Sequence, residues 1–194
     1  MKIAYLGPEG SYSHLAAETF LKTERASRKE KNSFGRDECI PFRNFPEVFE
    51  AVETGHADAA AVPIENSLQG GVLQNLDLLQ ASSELFAVRE QIVKIDHRLI
   101  FRTGTPLSAI GRVYSHRQAL NQCAAYLSKK MPFASLRETE STSLGIDRAA
   151  EDASGKSAAI AGAHIAYLPE GFSRSEECIS DEKYNQTQFL LLKK

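Results

Sequence analysis

The stretch 59–71, AAAVPIENSLQGG, constrains the fold of this chain more than any other segment. Its first six residues are small, apolar or β-branched, which is typical of a strand buried on both faces of a parallel sheet. Glu65, Asn66 and Ser67 follow immediately, before a Gly-Gly pair and a helical pattern. Ligands of open α/β sheets bind just past the carboxyl ends of the strands, so these three polar residues are candidates for a binding site. The alternative is a strand-to-helix loop in which they only cap a helix predicted over 69–79.

Strands and helices alternate along the first half of the chain. Strands are predicted over 2–6, 39–42 and 58–64, with helices after the first two and over 72–79. The second helix has clear ends, because Asn44 is a good N-cap, Pro46 suits the first turn and Gly55 suits the stop. This order predicts a doubly wound lobe built on a parallel sheet.

Residues 85–102 form a β-branched run that is too long for one compact strand, which predicts a crossing into a second lobe. Strands are then predicted over 112–114, 134–136 and 157–161, and helices over 118–127, up to Ala150, and over 163–168. We therefore expect an α/β protein with two doubly wound lobes, 1–92 and 93–173, and a central cleft. Part of the segment 174–194 is expected to return to the first lobe.

Hydroxyl residues recur at the predicted helix starts and strand ends. These positions suit a carboxylate, because exposed N–H groups and the positive end of the helix dipole meet there. For Ser13, the alternative is that it only caps the first helix. The candidates are Ser11, Ser13, Ser115, Ser141, Thr142 and Ser143.

Composition excludes several classes of protein. A net charge of −2 with 25% charged residues gives no electrostatic footprint for nucleic acid or a membrane surface. The tract 22–36 interleaves acidic with basic residues, so we expect a solvated loop. Three distant cysteines and five histidines without ligand spacing favour a protein with no metal and no cofactor. Reduced thiols and a first strand without a preceding signal peptide predict a cytoplasmic location.

Five segments, taken in this order, resemble the prephenate dehydratase family: GPEGSYSHLAA (7–17), VPIENSLQGGV (62–72), DHRLI (96–100), VYSHRQALNQC (113–123) and ESTS (140–143). The resemblance implies a fold like the type II periplasmic binding proteins and a site that uses Glu65, Asn66, Ser115 and Gln122. Prephenate would lose its ring carboxylate as CO₂ and its ring hydroxyl as water. The protein's tasks would be to hold two carboxylates and to assist departure of the hydroxyl.

The family's Thr-Arg-Phe triplet occurs here as Thr187-Gln188-Phe189. The resemblance makes Thr187 the residue that removes the hydroxyl and makes Gln188 stand where an arginine helps to bind the substrate. Loss of a charge-assisted bond to a carboxylate costs roughly 1.5–3 kcal/mol, or one to two decades in affinity. We expect Gln188 to donate a weaker bond, or Arg117 or Arg174 to replace the missing cation.

Family members commonly continue into a phenylalanine-binding ACT domain, whereas this sequence stops at Lys194, so either the natural protein lacks that domain or this chain is a catalytic fragment. Family members also usually form dimers or larger assemblies. We therefore expect a homodimer without feedback inhibition through this chain. Arogenate is an alternative substrate. Two other functions stay open: decarboxylation of prephenate without dehydration, and small-anion binding without catalysis. Our hypothesis for the residues is that Thr187 contacts the leaving hydroxyl and that Glu65 orients or supports Asn66.

Overall fold

The computed structural model describes residues 1–27, 36–166 and 168–194. It has two compact units: Met1–Lys94 together with Asn185–Lys194, and Ile95–Tyr184. The first unit therefore uses both ends of the chain. The predicted crossing segment 85–102 is divided between the units at Lys94 and Ile95. Residues 28–35 of the tract predicted as a solvated loop lie outside the described residues.

The first unit contains one mixed sheet flanked by helices. β1 pairs in parallel with β2 and with β3, whereas β11 runs antiparallel to both β3 and β5. The strand order is β2-β1-β3-β11-β5, with β4 paired to β3. The expected all-parallel sheet is thus wrong beyond β3, because the C-terminal strand enters the sheet in the opposite direction. The elements are β1 (Lys2–Leu6), α1 (Tyr12–Ser27), β2 (Glu38–Phe42), α2 (Phe45–Glu53), β3 (Ala59–Asn66), β4 (Gly70–Gly71), α3 (Leu73–Ala81), β5 (Phe86–Lys94) and β11 (Gln186–Lys193).

Helix α2 shows how local sequence sets these boundaries. Asn44 Oδ1 accepts a hydrogen bond from the backbone N–H of Glu47 at 2.9 Å, and Glu47 Oε2 accepts one from the N–H of Arg43 at 3.2 Å. This arrangement is a variant of the capping box, because Glu47 accepts from the N–H of the residue before the N-cap and from the Asn44 side chain. Gly55 lies just past the helix with φ of +77°, a conformation that glycine adopts without strain. The predicted ends of this helix are confirmed.

The core of the first unit lies around β3. Ala59, Ala60, Ala61 and Val62 are completely buried, and their small side chains let helices approach the sheet closely. One face packs against α2 through Val48, Phe49 and Val52. The buried run predicted from the sequence is therefore confirmed as a central strand.

The second unit is built on a second mixed sheet, so the expected α/β class is confirmed for both units. Its strand order is β10-β6-β9-β7-β8, in which β7 is parallel to β8 and β9, and β6 is antiparallel to β9 and β10. Every residue of the central strand β9 is buried. The elements are β6 (His97–Arg102), a 3-10 turn (Leu107–Ala109), β7 (Arg112–Ser115), α4 (Arg117–Gln122), α5 (Ala124–Lys130), β8 (Ser135–Glu138), α6 (Thr142–Ala150), β9 (Ser157–Gly162) and β10 (Phe172–Arg174).

Two helix predictions in this unit need correction. The helix expected over 118–127 breaks at Cys123 into α4 and α5, and Ala124, the first residue of α5, is exposed. Asp181 caps the second piece, since its carboxylate accepts from the N–H groups of Ala125 and Tyr126 at 2.9 and 3.0 Å. No helix forms over 163–166 or at Leu168, where the chain makes a turn; Tyr167 lies outside the described residues. Among the described helices, none combines the length and apolar character needed to cross a membrane.

Candidate active site

Asn66, at the end of β3, is the centre of a buried polar cluster in the first unit. Its Nδ2 lies 2.8 Å from Asn185 Oδ1, 2.9 Å from Thr187 Oγ1 and 3.1 Å from the carbonyl oxygen of Gln186. The side chains of Asn66, Asn185 and Thr187 are at most 8% exposed. A motif residue and the C-terminal threonine therefore meet although 121 positions separate them in the chain.

The orientation of the Asn66 amide follows from its backbone contacts. Its Oδ1 accepts from the N–H groups of Leu68 and Gln69, at 3.0 and 3.2 Å, so the nitrogen must face the other way. Since that nitrogen can only donate, Thr187 Oγ1 must accept, and the Thr187 hydroxyl proton is left to point elsewhere. An oxygen that accepts one hydrogen bond donates a stronger one, so Asn66 makes the Thr187 hydroxyl a better donor.

The chain reaches this geometry through a short hairpin. β3 continues past Ile64 to Asn66, and β4 folds back to pair with Glu65 and Asn66. The turn ends at Gly70, whose φ is +77°. The polar motif therefore lies in a hairpin and does not cap the next helix: α3 starts after Val72 without a side-chain cap.

β11 is tied to the same hairpin by Ser67. The Ser67 N–H donates to the Gln186 carbonyl oxygen at 2.9 Å, and its hydroxyl oxygen accepts from the Gln186 N–H at 3.0 Å. The ladder continues with Thr187 opposite Asn66 and Gln188 opposite Glu65. This pairing places the Thr187 side chain against Asn66.

Glu65 and Gln188 occupy the other face of the sheet, because successive side chains of a strand point to opposite faces. Glu65 is exposed. Gln188 Nε2 donates to Glu90 Oε2 on β5 at 3.0 Å. The expected substrate contact of Gln188 is therefore not supported by this geometry, and Asn66 is oriented by backbone amides rather than by Glu65.

Ser11 caps the first helix. Its Oγ accepts from the His14 N–H at 3.1 Å and lies 3.3 Å from the Leu6 carbonyl oxygen, to which it donates. Ser13 lies in the first turn of α1 and is half-buried. The capping alternative considered for Ser13 thus belongs to Ser11.

In the second unit, Ser115 is completely buried at the end of β7. Its hydroxyl donates to the Ile160 carbonyl oxygen on β9 at 2.7 Å. This contact ties two neighbouring strands together. In this structure the Ser115 hydroxyl is therefore used in a hydrogen bond between β7 and β9.

Gln122 is held by a histidine that the sequence reasoning missed. Gln122 Oε1 lies 2.8 Å from His97 Nε2, so the proton of that contact is on the imidazole and the Gln122 amide nitrogen faces away. His97 is 4% exposed, and burial lowers its pKa although Gln122 and Asp96 act in the opposite direction. The neutral ring is therefore the expected form at neutral pH.

Ser141 caps α6 by accepting from the Leu144 N–H at 3.1 Å, and Thr142 and Ser143 form the first turn. The arginines suggested as replacements for the missing family arginine both have other partners. Arg117 is exposed and pairs with Glu138 at 2.9 Å. Arg174 donates to the carbonyl oxygens of Ala163 and Ile165.

No group of three or more His, Cys, Asp or Glu side chains within 1–27, 36–166 and 168–194 has the arrangement needed to hold a metal ion. The three cysteines are unpaired thiols. Burial raises the pKa of Cys39 to about 11 and that of Cys123 further still, so neither is an activated nucleophile.

Asn185 is the second residue that sequence reasoning missed. The triplet beginning at Thr187 draws attention to Thr187 and Gln188 but not to Asn185 before them. The usable signal was a short amide side chain two residues before the threonine of the family triplet.

Comparison with known proteins gives a consistent result. The family model described as prephenate dehydratase matches residues 3–194. The bifunctional chorismate mutase/prephenate dehydratase of Escherichia coli strain K12 is 37% identical over 191 residues, which are 98% of this chain and 46% of that protein. Arogenate dehydratase 5, chloroplastic, of Arabidopsis thaliana is 33% identical over 192 residues, which are 99% of this chain and 42% of that protein.

A crystal structure of a prephenate dehydratase from Arthrobacter aurescens, in complex with L-Phe, matches the whole chain with a TM-score of 0.78 and 32% identity. The match covers 60% of that structure. The chain spans about half the length of the curated relatives it matches.

Proposed function

The chain belongs to the prephenate dehydratase family, and on this basis we propose that it converts prephenate to phenylpyruvate, CO₂ and water in phenylalanine biosynthesis. The observation that carries this proposal is the hydrogen bond between Asn66 and Thr187, which joins the family's VPIENS motif to the threonine of its C-terminal triplet. This bond leaves the Thr187 hydroxyl available as a donor.

The reaction needs little covalent chemistry from the protein. When the bond to the ring carboxylate breaks, its electron pair enters the ring, and the hydroxyl on the opposite ring carbon departs with the pair of its own bond. Aromatisation supplies the driving force, so a donor at the departing oxygen is the main catalytic requirement. We assign that donor to Thr187, with Asn66 polarising and orienting it.

The second unit supplies two further features that support anion binding. The Gln122 amide nitrogen faces away from His97 and is a neutral donor held in one orientation. The first turn of α6, with Thr142 and Ser143 after the Ser141 cap, offers N–H groups at the positive end of a helix dipole. We propose that these groups bind substrate carboxylates. Ser11 and Ser13 at the start of α1 are proposed for the same role.

Arogenate is the second candidate substrate, because one of the similar proteins is named an arogenate dehydratase. Arogenate differs from prephenate by an amino group in place of the side-chain keto group. Comparison of kcat/KM for the two compounds on the same preparation identifies the preferred substrate.

The test of the proposed function combines product analysis with two variants of Thr187. Purified protein is incubated with prephenate, and phenylpyruvate is followed by its ultraviolet absorbance in alkali together with mass analysis of the product. Thr187→Val keeps the shape but removes the donor, so we expect kcat to fall about a hundredfold or more. Thr187→Ser keeps the hydroxyl and should stay within about tenfold of wild type.

The products distinguish the alternatives. A non-aromatic decarboxylated product would indicate decarboxylation without dehydration, and binding of prephenate without turnover would indicate an anion-binding module. Equal activity of the Val and Ser variants would remove Thr187 from the mechanism. Thermal unfolding of both variants serves as the control for folding.

We also propose a cytoplasmic homodimer. β5 is an edge strand of the first sheet, and its side chains Phe86, Val88 and Ile92 are 64%, 48% and 64% exposed. Exposed apolar side chains on an edge strand favour association with another chain. Light scattering coupled to size exclusion measures the mass, and a mass of one chain at micromolar concentration would argue against the dimer.

A further inference from the structure

Only the oxygen of the Asn185 amide has a hydrogen-bond partner within the part of the chain that the structure describes. The residue is 1% exposed, and its Nδ2 has no acceptor among the described residues. Buried amide groups are nearly always hydrogen-bonded, because an unmet donor keeps the full cost of leaving water. A donor of this kind beside Thr187 points to a partner that arrives with the substrate.

The orientation of Asn185 follows from the same series of contacts that orients Asn66. The backbone N–H groups of Leu68 and Gln69 hold Asn66 Oδ1, so Asn66 Nδ2 faces Asn185. Asn185 Oδ1 must then face Asn66 Nδ2, and Asn185 Nδ2 must point in another direction. The unmet atom is therefore a donor, not an acceptor.

Asn66 Nδ2 thus prepares two donors at once. Its two shortest hydrogen bonds, to Asn185 Oδ1 at 2.8 Å and to Thr187 Oγ1 at 2.9 Å, leave Asn185 Nδ2 and the Thr187 hydroxyl to donate, while the longer contact to the Gln186 carbonyl oxygen at 3.1 Å shares one of the same two protons. The Thr187 hydroxyl and the Asn185 amide are thus both oriented by hydrogen bonds from Asn66 Nδ2. Paired donors fixed before the reaction are the usual way in which proteins stabilise charge that develops on an oxygen.

We propose that Asn185 is a second catalytic donor, whose Nδ2 binds the departing hydroxyl oxygen together with the Thr187 hydroxyl; this inference rests on the proposed function. As the carbon–carboxylate bond breaks, its electron pair becomes a ring π bond and CO₂ leaves. The ring carbon–oxygen bond breaks with its pair on oxygen, and that oxygen takes up one proton from solvent water and leaves as water. The two donors share its negative charge before protonation.

The test uses Asn185→Asp, which keeps the shape and the oxygen that accepts from Asn66. At neutral pH the new carboxylate offers an acceptor where Nδ2 was a donor. We expect kcat to fall about a hundredfold with little change in KM, because the contact is formed with charge that develops only in the transition state. Protonation of this buried carboxyl restores an O–H donor, so kcat relative to wild type should rise as the pH is lowered.

Asn75→Asp is the matched control. Asn75 is completely buried in the same unit, and its Nδ2 donates to the Pro63 carbonyl oxygen at 2.7 Å. This variant also introduces a buried carboxyl and should lose stability, but its kcat should stay near wild type across the same pH range. Glu65 and Lys94, the charged residues on the strands paired with the start of β11, are unchanged in every variant. Any effect of their titration on kcat is therefore the same in variant and wild type and cancels when the kcat of a variant is divided by that of wild type.

The outcomes separate this inference from the proposed function. Wild-type formation of phenylpyruvate tests the function, and the ratio of variant to wild type tests Asn185. If the wild type is active and Asn185→Asp leaves kcat unchanged, or changes KM alone, the inference is overturned while the proposed function stands. If the Asp variant did not fold, Asn185→Ser would replace it, and an undiminished kcat for that variant would overturn the inference equally.

Discussion

Restoring the family arginine by Gln188→Arg should change catalysis very little. Gln188 lies on the face of β11 opposite Thr187 and donates to Glu90 at 3.0 Å. An arginine at 188 would pair with the same exposed carboxylate, which is worth about 0.2–1 kcal/mol of stability at a surface site. We expect kcat/KM for prephenate to change by no more than about twofold, because side chains on opposite faces of a strand do not share a ligand.

The resemblance alone makes a different prediction. If position 188 bound a substrate carboxylate, the arginine would lower KM by about ten- to a hundredfold. Steady-state kinetics of wild type, Gln188→Arg and Gln188→Arg with Glu90→Gln distinguish the two cases. A KM lowered tenfold in the single variant would refute the geometric argument, and a further gain in the double variant would show that Glu90 had held the arginine away from substrate.

Three further predictions concern Asn66, His97 and Gly145. Asn66→Ala should lower the free energy of unfolding by about 2–4 kcal/mol, because it leaves buried hydrogen-bonding partners unmet. It should also reduce kcat at least as much as Thr187→Val does. Chemical denaturation measures the first effect and steady-state kinetics the second, and a stable, active variant would contradict the central role of Asn66. His97 is buried and its pKa is lowered, so below about pH 6.5 the unfolded chain binds more protons than the folded one. The free energy of unfolding therefore decreases as the pH is lowered through this range. His97→Gln keeps a donor toward Gln122 and should flatten that slope in denaturation curves; an unaltered slope would assign it to other groups. A Cβ at Gly145 would lie 3.0 Å from the Tyr114 carbonyl oxygen. Gly145→Ala should therefore destabilise the second unit by about 1–3 kcal/mol, as measured by thermal unfolding. A higher melting temperature would show that α6 can shift away from β7.

Local sequence patterns were sufficient for much of the fold. The unbroken small and β-branched run predicted the central strand β3, and the capping residues around Asn44 predicted α2 to within a residue. The helix predicted over 163–168 does not form over 163–166 or at Leu168, because an apolar pattern of this length carries little information by itself. The guanidinium of Arg174, which lies 11 and 9 positions further along the chain, donates to the carbonyl oxygens of Ala163 and Ile165, and the chain forms a turn there.

Within the candidate site, the sequence identified Asn66 and Thr187 by motif but could not assign their partners. Asn185 was missed because its contact with Asn66 spans 119 positions. Gln188 was placed near substrate because it stands where the family has an arginine. Only the strand pairing with β5 shows that its side chain meets Glu90.

By itself, the sequence determined the family and the α/β class and predicted a set of candidate site residues, because apolar periodicity and motif composition are local properties. Tertiary structure decided which of those candidates lie in contact with one another. The direction of β11, the extension of β3 to Asn66 and the two faces of their ladder come from hydrogen bonds between distant segments. These bonds orient the Asn66 amide, and that orientation determines that Thr187 and Asn185 are both left as donors.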